Sequence, residues 1–448
     1  MLSRYWENIT KRIQVPTSIA PLVTFRILFG ALMAIGAIRF LYNDWVTRLY
    51  VEPNLFFKFY GFEWVKVLSE NGMFVLLWII VISAVMVMLG LFYRMAIVVF
   101  FCSFIYLELI DATNYLNHYY LVVLLAFLMI FLPAHRQFSL DVWRKPFLKV
   151  SKVPKWMIGI LIAQLTIVYT CAGLAKLNSD WLFEAMPLAI WLPEHQDLPI
   201  IGPLLKHKET AFLFSWFGAL YDLTIAYFLL FRRTRILAYI AVVLFHVMTN
   251  VLFNIGLFPA IMITSTLIFF SGDSHEKVLG WIGYQRGEKL IYKIPKNWKQ
   301  LLKPLLIFFF VIQLLLPFRC LAYSSNLFWA EEGYRFSWRV MLVEKIGQAT
   351  FHVEDPETGR KDEVINGRYL TQFQEKQMSI QPDFILQFAH FLKREYQTKH
   401  GMKNPIITVD CHVALNGRTS QQLIDPKVNL ATVKDGFAAK GWVLDFKK

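Results

Sequence analysis

The segment "WMIGILIAQLTIVYTCAGLAKLNSDW", residues 156–181, shows what kind of protein this is. Residues 156–177 contain a single charged side chain, Lys176, which stands close to their end. An apolar run of this length can cross a lipid bilayer as a helix. A lysine inside such a run needs an explanation, because charged groups in membrane spans are costly and are usually paired or functional.

Similar apolar runs recur on both sides of this segment, up to about residue 320. The sequence is 56% hydrophobic and 16% aromatic, which is more apolar than the average soluble protein. We therefore predict a polytopic α-helical membrane protein with about nine transmembrane helices. The first span is expected to be retained, because no small-residue cleavage site follows it closely. The predicted spans are residues 17–41, 72–92, 95–111, 119–133, 156–177, 211–231, 236–254, 257–271 and 304–319.

The distribution of basic residues predicts the orientation of these spans. If the N-terminus is cytoplasmic, the inner segments carry 20 Lys and Arg residues and the outer loops carry 5. This bias favours a cytoplasmic N-terminus and an extracytoplasmic C-terminus. It also accounts for most of the net charge of +14, because the chain from Cys320 onward has a charge of only +2. The basic residues therefore indicate membrane topology and no nucleic-acid partner.

The composition changes after residue 319, and we divide the chain into a transmembrane domain, 1–319, and an extracytoplasmic α+β domain, 320–448. The segment "ATFHVEDPETGRKDEVIN" alternates and predicts a hairpin that turns at Asp355–Gly359. The segment "QPDFILQFAHFLKREYQTKHG" predicts an amphipathic helix that ends at Gly401. The segment "PIITVDCHVALNGRTSQQLID" predicts two strands joined by an Asn-Gly turn.

The predicted topology also gives the depth of each polar residue in the spans. Most of these residues fall in the outer half of the membrane part, beneath the C-terminal domain, where we expect them to line one site. Burial in a water-poor pocket disfavours the charged form of a lysine, and a neutral, poorly paired amine can act as a general base. The residues concerned are Lys176, Asn117, His118, Asp222, His246 and Asn250.

Each of these polar residues also has a purely structural interpretation. Lys176 can snorkel to the membrane interface, or it can pair with Asp180 four residues later. His118 can anchor a loop, and Asp222 can form a structural hydrogen-bonded pair with His246. Spacing alone leaves these alternatives open.

Six blocks of the sequence resemble the vitamin K-dependent gamma-carboxylase family, and they occur in the family's order across nearly the whole chain. The resemblance implies a carboxylating lyase that uses reduced vitamin K or menaquinone together with O2 and CO2, and no metal. In this family the oxygenated quinone removes a γ-hydrogen from glutamate, CO2 adds to the carbanion, and the quinone leaves as its epoxide. The implied partner is a glutamate-containing peptide or protein. The blocks are "DATNYLNHYYLVVLLAF", "AGLAKLNSDW", "GALYDLTIAYFLLF", "LFHVMTNVLFNIGLFPAIM", "LLLPFRCLAYSSNLFWAEEGYRFSW" and "LIDPKVNL".

The resemblance also implies roles for individual residues. The block "AGLAKLNSDW" corresponds to the one that holds the family's catalytic lysine, which implies that Lys176 is the base. The block "LNHYY" implies that His118 is catalytic and that Asn117 beside it binds the quinone. We add the remaining polar residues of the same half of the membrane, His246, Asn250 and Asp222, as quinone-binding candidates.

Two features depart from vertebrate members of the family. Ala175 stands where those members have a second lysine, and their chains extend much further at the C-terminus than Lys448. A bacterial homologue is therefore expected, and recognition of a propeptide-bearing substrate is not.

Two other functions stay open at this point. An enzyme of this kind could keep quinone epoxidation and use a different acceptor. A membrane transporter or binding protein could use the same polar cavity, although the sequence shows neither the repeated halves nor the paired broken helices that are typical of transporters. In each case the chain is expected to be a multi-pass protein of the cell membrane in contact with lipid.

Overall fold

The computed structural model describes residues 11–285 and 290–447. Within these residues, seven helical segments are long and apolar enough to cross a membrane, and the chain is a helical membrane protein with a small sheet-containing C-terminal region. Two further apolar segments, Asn117–Phe131 and Phe258–Phe269, are shorter. The predicted number of nine spans includes both of them and stays a prediction.

Each of the nine predicted spans overlaps a helix. The ends of the helices follow local signals: for example, Ser69 caps the second helix by accepting a hydrogen bond from the backbone N–H of Gly72, and Gly90 ends that helix with φ +65°. The helices of this part are α1 (Ala20–Tyr42), α2 (Glu70–Leu89), α3 (Tyr93–Ile110), α4 (Asn117–Phe131), α5 (Leu140–Arg144), α6 (Trp156–Ala175), α7 (Ser179–Phe183), α8 (Leu188–Trp191), α9 (Gly202–Leu205), α10 (Lys208–Leu230), α11 (Arg235–Phe253), α12 (Phe258–Thr266), α13 (Gly272–Gly280) and α14 (Lys296–Leu315).

Two short strands lie at one end of this helical part. Strand β1 (Pro16–Ser18) precedes α1 and pairs antiparallel with β2 (Lys152–Pro154), which precedes α6. At the other end, α14 continues into a 3₁₀ segment, Leu316–Ala322, which crosses the predicted domain boundary. The chain then enters what we call the C-terminal region, residues 323–447.

The C-terminal region contains the elements α15 (Leu327–Ala330), β3 (Lys345–Glu354), β4 (Lys361–Glu363), α16 (Gln372–Met378), α17 (Pro382–Lys399), β5 (Ile406–Leu415) and β6 (Gln421–Gln422). Its strands form a four-stranded antiparallel sheet in the order β4-β3-β5-β6. The predicted hairpin is present, with residues 355–360 joining β3 to β4. The Asn-Gly turn joins β5 to β6 with positive φ angles at Asn416 and Gly417.

Helix α17 supplies much of the core of this region. Its buried face includes Phe384, Ile385, Phe388 and Leu392, as the amphipathic pattern predicted, and Phe351 of β3 belongs to the same core. Burying these side chains stabilises the region by roughly 1.5–3 kcal/mol for each.

The C-terminal region docks on loops of the helical part. Gln374 donates from Nε2 to the backbone oxygen of Leu55 at 2.7 Å and to the carboxylate of Asp111 at 3.0 Å. Gln387 exchanges two hydrogen bonds with the backbone of Lys58, at 2.8 and 2.9 Å. The loop between α1 and α2 and the start of the loop between α3 and α4 therefore lie on the same side of the helical part as the sheet.

Candidate functional site

An apolar cavity with about 900 Å³ of empty volume, its mouth included, lies between α6, α10 and α11 next to the C-terminal region. Its walls are mainly aromatic and aliphatic, and Phe217, Phe245 and Leu252 are examples. A concave apolar site with a few polar groups is typical of a small-molecule site. The polar side chains that line it include Asn117, Tyr169, Lys176, Asp222, His246 and Thr249.

Lys176 and Asp222 form a buried ion pair in this cavity. Lys176 caps the C-terminal end of α6, and its Nζ donates to Asp222 Oδ2 at 2.6 Å. The same amine lies 5.3 Å from the centroid of the Trp181 ring, and Lys176 is only 6% exposed. The expectation of a poorly paired amine is therefore wrong, and the side chain turns inward instead of snorkelling.

The pair forms because α6 and α10 approach closely. A Cβ atom added to Gly173 of α6 would lie 2.6 Å from the backbone nitrogen of Leu223, the residue after Asp222. The missing side chain lets the two backbones meet one turn before Lys176, which brings the amine within reach of the carboxylate. Such a buried pair is costly to separate, because removal of one partner leaves the other charged and unsolvated.

Two buried polar atoms of residues that line this cavity have no hydrogen-bond partner among the described residues. His246 bonds through Nε2 to the Tyr169 hydroxyl at 3.3 Å, but its Nδ1 has no partner. The indole Nε1 of Trp338, which also lines the cavity, has none either. Because buried polar groups are nearly always satisfied, both atoms are candidates for contact with a ligand or water. The proposed structural pair of Asp222 and His246 is not formed, since Asp222 bonds to Lys176.

A second cavity, with about 3100 Å³ of empty volume including the open solvent at its mouth, adjoins the first beneath the C-terminal region. We call the two the lysine cavity and the wide cavity. Charged residues Arg39, Arg48, Glu52 and Glu108 line the wide cavity. The two cavities share five lining residues, which mark the junction: Asn117, Ile255, Phe258, Val340 and Met341.

Asn117 and His118 stand at this junction but face different partners. The amide of Asn117 accepts a hydrogen bond from the Tyr115 hydroxyl at 3.0 Å and donates to the Arg339 carbonyl at 3.2 Å, so one N–H is left for a ligand. His118 lines the wide cavity, and its ring packs on Tyr119 and Phe258 with centroid distances of 4.5 and 5.8 Å. Of the residues that the structure describes, none hydrogen-bonds the His118 ring, which gives the loop-anchor interpretation no support.

The structure corrects the assignment of Asn250. This residue is exposed and lines neither cavity, whereas His246, Thr249 and Phe253 of the same helix face the lysine cavity. One residue turns a helix by about 100°, so Asn250 points away from the face that is centred near Thr249. Depth in the membrane predicted a position beside the site for both residues, and only His246 lines the cavity.

Two contributions to the site were missed. Trp338 lies in a block that was singled out for its resemblance, but its position after the last span gave no sign that its indole reaches the lysine cavity. Asp180, considered as a partner for Lys176, instead accepts hydrogen bonds from Asn416 and Arg418 of the C-terminal region.

The lysine cavity suits the reduced quinone that the resemblance implies. Its apolar walls match a flat ring with an isoprenoid tail, and the Trp338 N–H can donate to a quinone oxygen. His246 Nδ1 can donate or accept, depending on its tautomer. Among residues 11–285 and 290–447, no group of three His, Cys, Asp or Glu side chains could hold a metal ion, and all four cysteines are free.

Comparison with known families gives two matches. A family model described as HTTM domain matches residues 14–273. A second, described as vitamin K-dependent gamma-carboxylase, lumenal domain, matches residues 298–448. No solved structure matches the chain.

Proposed function

This chain belongs to the vitamin K-dependent gamma-carboxylase family, and from that membership we propose that it carboxylates glutamate residues at the expense of a reduced quinone. Membership supports a carboxylating enzyme that acts in a membrane with vitamin K hydroquinone, O2 and CO2. The observation that carries the proposal is the buried Lys176–Asp222 pair in an apolar cavity.

The lysine cavity holds the quinone. When bound, the reduced quinone supplies, with O2, the strong base that removes a γ-hydrogen from glutamate. Trp338 Nε1 and His246 Nδ1 are the groups that would orient its oxygens, because both are buried and otherwise unpartnered among the described residues. The surrounding phenylalanine and leucine side chains keep water out, which protects basic species from being quenched.

Lys176 takes the proton that a hydroquinone hydroxyl releases. Its contact with Asp222 at 2.6 Å lets the two side chains share one proton, either as an ion pair or as a neutral amine and acid. In the neutral form the amine can accept a proton, and in the ionic form the carboxylate can take one from the ammonium first. Asp222 thus sets how readily Lys176 acts as a base.

The wide cavity admits the acceptor. It opens beneath the C-terminal region, which contributes Thr371, Phe373 and Gln377 to its wall, and its mixture of charged and apolar groups suits a polypeptide better than a quinone. A glutamate side chain entering there would reach the junction at Asn117 and Met341, next to the quinone. His118 lines this route and is placed to handle a proton on the acceptor side.

The direct test is product analysis with the full-length protein in lipid nanodiscs. Reduced menaquinone or vitamin K, O2, labelled CO2 and a short Glu-containing peptide should give quinone epoxide and labelled peptide together. Epoxide without label would favour an oxygenase with another acceptor. If the folded protein produced neither, the enzymatic proposal would be wrong.

Variants of the buried pair separate chemistry from folding. Lys176→Met should lower both products by about 10²–10⁴-fold, the usual loss when a general base is removed. It should also destabilise the protein by about 3–5 kcal/mol, because Asp222 is left without its partner. The double variant Lys176→Met/Asp222→Asn should recover thermal stability but not activity. Recovery of both would mean that Lys176 is structural.

A further inference from the structure

The residues that follow Lys176 are held by the C-terminal region. Asp180 of α7 is 9% exposed, and its carboxylate accepts hydrogen bonds from Arg418 Nη1 at 2.9 Å and from Arg418 Nη2 at 2.8 Å. Asn416 Nδ2 donates to the same carboxylate at 2.8 Å. Both donors stand in the turn between β5 and β6, which we call the clamp turn (residues 416–418). A bidentate contact of this kind fixes orientation as well as charge.

The clamped helix carries the aromatic ring that faces the Lys176 amine. Trp181 follows Asp180, and its ring centroid lies 5.3 Å from Lys176 Nζ. The indole N–H donates to the backbone oxygen of Ser215 in α10 at 2.7 Å. Helix α7 is therefore fixed on one side by the clamp turn and on the other by α10, with the Lys176 amine over the Trp181 ring.

The clamp turn is itself rigidly built. Asn416 is 1% exposed, and it exchanges hydrogen bonds with the backbone of Glu344, both at 2.9 Å. Glu344 in turn accepts a hydrogen bond from Trp191 Nε1 at 2.8 Å. The positive φ angle of Gly417, +73°, is one that glycine adopts without strain. The turn thus presents Asn416 and Arg418 to Asp180 in a defined geometry.

We propose that Arg418 and Asn416 are positioning residues for Lys176, which compensate the Asp180 charge and keep Trp181 over the amine. The inference rests on the proposed role of Lys176 as the base. It gives the C-terminal region a part in the reaction beyond covering the site, because two of its residues hold the helix whose Trp181 ring faces the amine.

The expected effect of losing the clamp is a displaced α7. Without Arg418, the Asp180 carboxylate keeps the Asn416 amide but loses the bidentate guanidinium contact that fixes its orientation. Trp181 should then no longer be held over the Lys176 amine. Among the described residues, other titratable groups near this contact include Asp222 and Tyr221 of α10, His246 of α11, Tyr169 of α6, and Glu184, which also accepts a hydrogen bond from Arg418.

The test measures Lys176 itself in the full-length protein in nanodiscs. The rate at which an amine-reactive reagent labels Lys176 at one fixed pH, followed by peptide mass spectrometry, reports how well the Trp181 ring covers the amine. Arg418→Gln should raise the labelling rate several-fold and lower kcat for quinone oxidation by about 10-fold or more, with little change in KM. The matched control is Arg360→Gln, which removes an exposed arginine of the same region that pairs with Asp362. This control should change neither rate.

A second variant distinguishes loss of the clamp contact from general loosening of the C-terminal region. Asp180→Asn/Arg418→Gln removes both charges and lets two amides pair in their place, so the labelling rate should return towards that of the wild type. An unchanged labelling rate in folded Arg418→Gln, or an increase that the double variant keeps, would overturn the proposal. Because labelling needs no turnover, the result stands apart from the proposed function. A wild type that labels as expected but oxidises no quinone would refute only the function.

Discussion

At the scale of single residues, the site is characterised by which polar atoms have hydrogen-bond partners and which have none. Lys176 and Asp222 satisfy each other, and the Asn117 amide has a protein partner at each end. His246 and Trp338 each keep one buried atom without a partner among the described residues. A ligand gains most binding free energy where it hydrogen-bonds such atoms, because an unsatisfied buried donor costs about 1–3 kcal/mol. The quinone is therefore expected to be oriented by His246 and Trp338 and activated by the lysine pair.

His118 provides the sharpest test at this scale. Because none of the described residues hydrogen-bonds its ring, His118→Ala should leave the melting temperature nearly unchanged. If it acts on a proton, turnover should fall by about 10²-fold or more. Both quantities can be measured on the same nanodisc preparation.

His275 is the matched control for that prediction. It is buried, and its ring nitrogens contact Thr24 Oγ1 at 2.9 Å and the Leu267 carbonyl at 3.0 Å. His275→Ala should therefore lower stability by about 1–3 kcal/mol and affect turnover only through the amount of folded protein. Equal losses of stability and activity in His118→Ala would support a structural role for that residue.

The sequence allowed the depth of these residues to be predicted, but not their direction around each helix axis. Alternation of loop charges predicted that Lys176, Asn117, Asp222 and His246 lie near one another, and they line one cavity. The bond between Lys176 and Asp222 depends on how α6 and α10 are rotated, and the apolar faces of two lipid-facing helices do not encode that rotation. The same missing information explains why depth alone did not separate Asn250 from the residues that line the cavity.

At the scale of elements, local signals predicted more. The Asn-Gly turn, the hairpin at Asp355–Gly359 and the amphipathic face of α17 all depend on short-range pattern, and the structure contains each of them. That pattern did not predict which residues of the helical part the turn would contact. Asn416 and Arg418 contact Asp180 across more than 230 positions of the chain, since the separations are 236 and 238 residues.

The close approach of α6 and α10 gives an element-scale prediction. A methyl group at position 173 would lie 2.6 Å from the Leu223 backbone, so Gly173→Ala must push the two helices apart. Lys176 and Asp222, one turn away, should then lose their 2.6 Å contact. We expect at least a tenfold loss of quinone oxidation and a lower melting temperature.

Gly159 of the same helix is the matched control. A Cβ atom there would meet nothing within 4 Å, so Gly159→Ala should be neutral or slightly stabilising, because alanine favours helix by about 1 kcal/mol over glycine. If both alanine variants behaved alike, helix spacing would not be what positions the lysine pair.

At the scale of the whole molecule, the stability of the C-terminal region should depend on pH. Arg335 binds Asp383 at the start of α17. Burial alone would raise the pKa of Asp383, but the charges of Arg335 and Lys440 outweigh it and hold the pKa at about 2, against an ordinary value of 3.8. A lowered pKa means that the carboxylate contributes stability above about pH 4 and loses it as the pH falls towards 2. The contribution is about 2 kcal/mol.

Hydrogen exchange of α17 between pH 2 and pH 7 measures this contribution. Protection corrected for intrinsic exchange should fall below pH 4 in the wild type. In Asp383→Asn it should already be lower at pH 7 and change less on acidification. A variant with the same pH profile as the wild type would mean that other carboxyl groups control acid sensitivity.

The largest-scale prediction concerns the number of crossings. Helix α4 and the segment Phe258–Phe269 are too short for the usual span of about 20 residues, yet both connect opposite ends of the helical part. Asn117 and Phe258, at their starts, line the wide cavity beneath the C-terminal region. At the far end, β2 after α4 pairs with β1, and Ser18 of β1 bonds to Glu276 of α13, which follows α12.

If both short segments span the membrane, the chain crosses it nine times. The loop charges favour a cytoplasmic location for the end of the helical part that carries β1, which puts the C-terminal region outside the cytoplasm. A reporter that is active only outside the cytoplasm should therefore work when fused after Lys448 and fail when fused after Gly280. A cytoplasmic reporter should show the reverse. If α12 did not cross the membrane, Asn254 before it and Gly280 after it would lie on the same side. A third reporter placed after Asn254 would then give the same signal as the reporter after Gly280. The fusion after Lys448, beyond α14, would still give the opposite signal. Opposite signals from Asn254 and Gly280 are thus the observation that requires the short helix to cross, and matching signals would reduce the count.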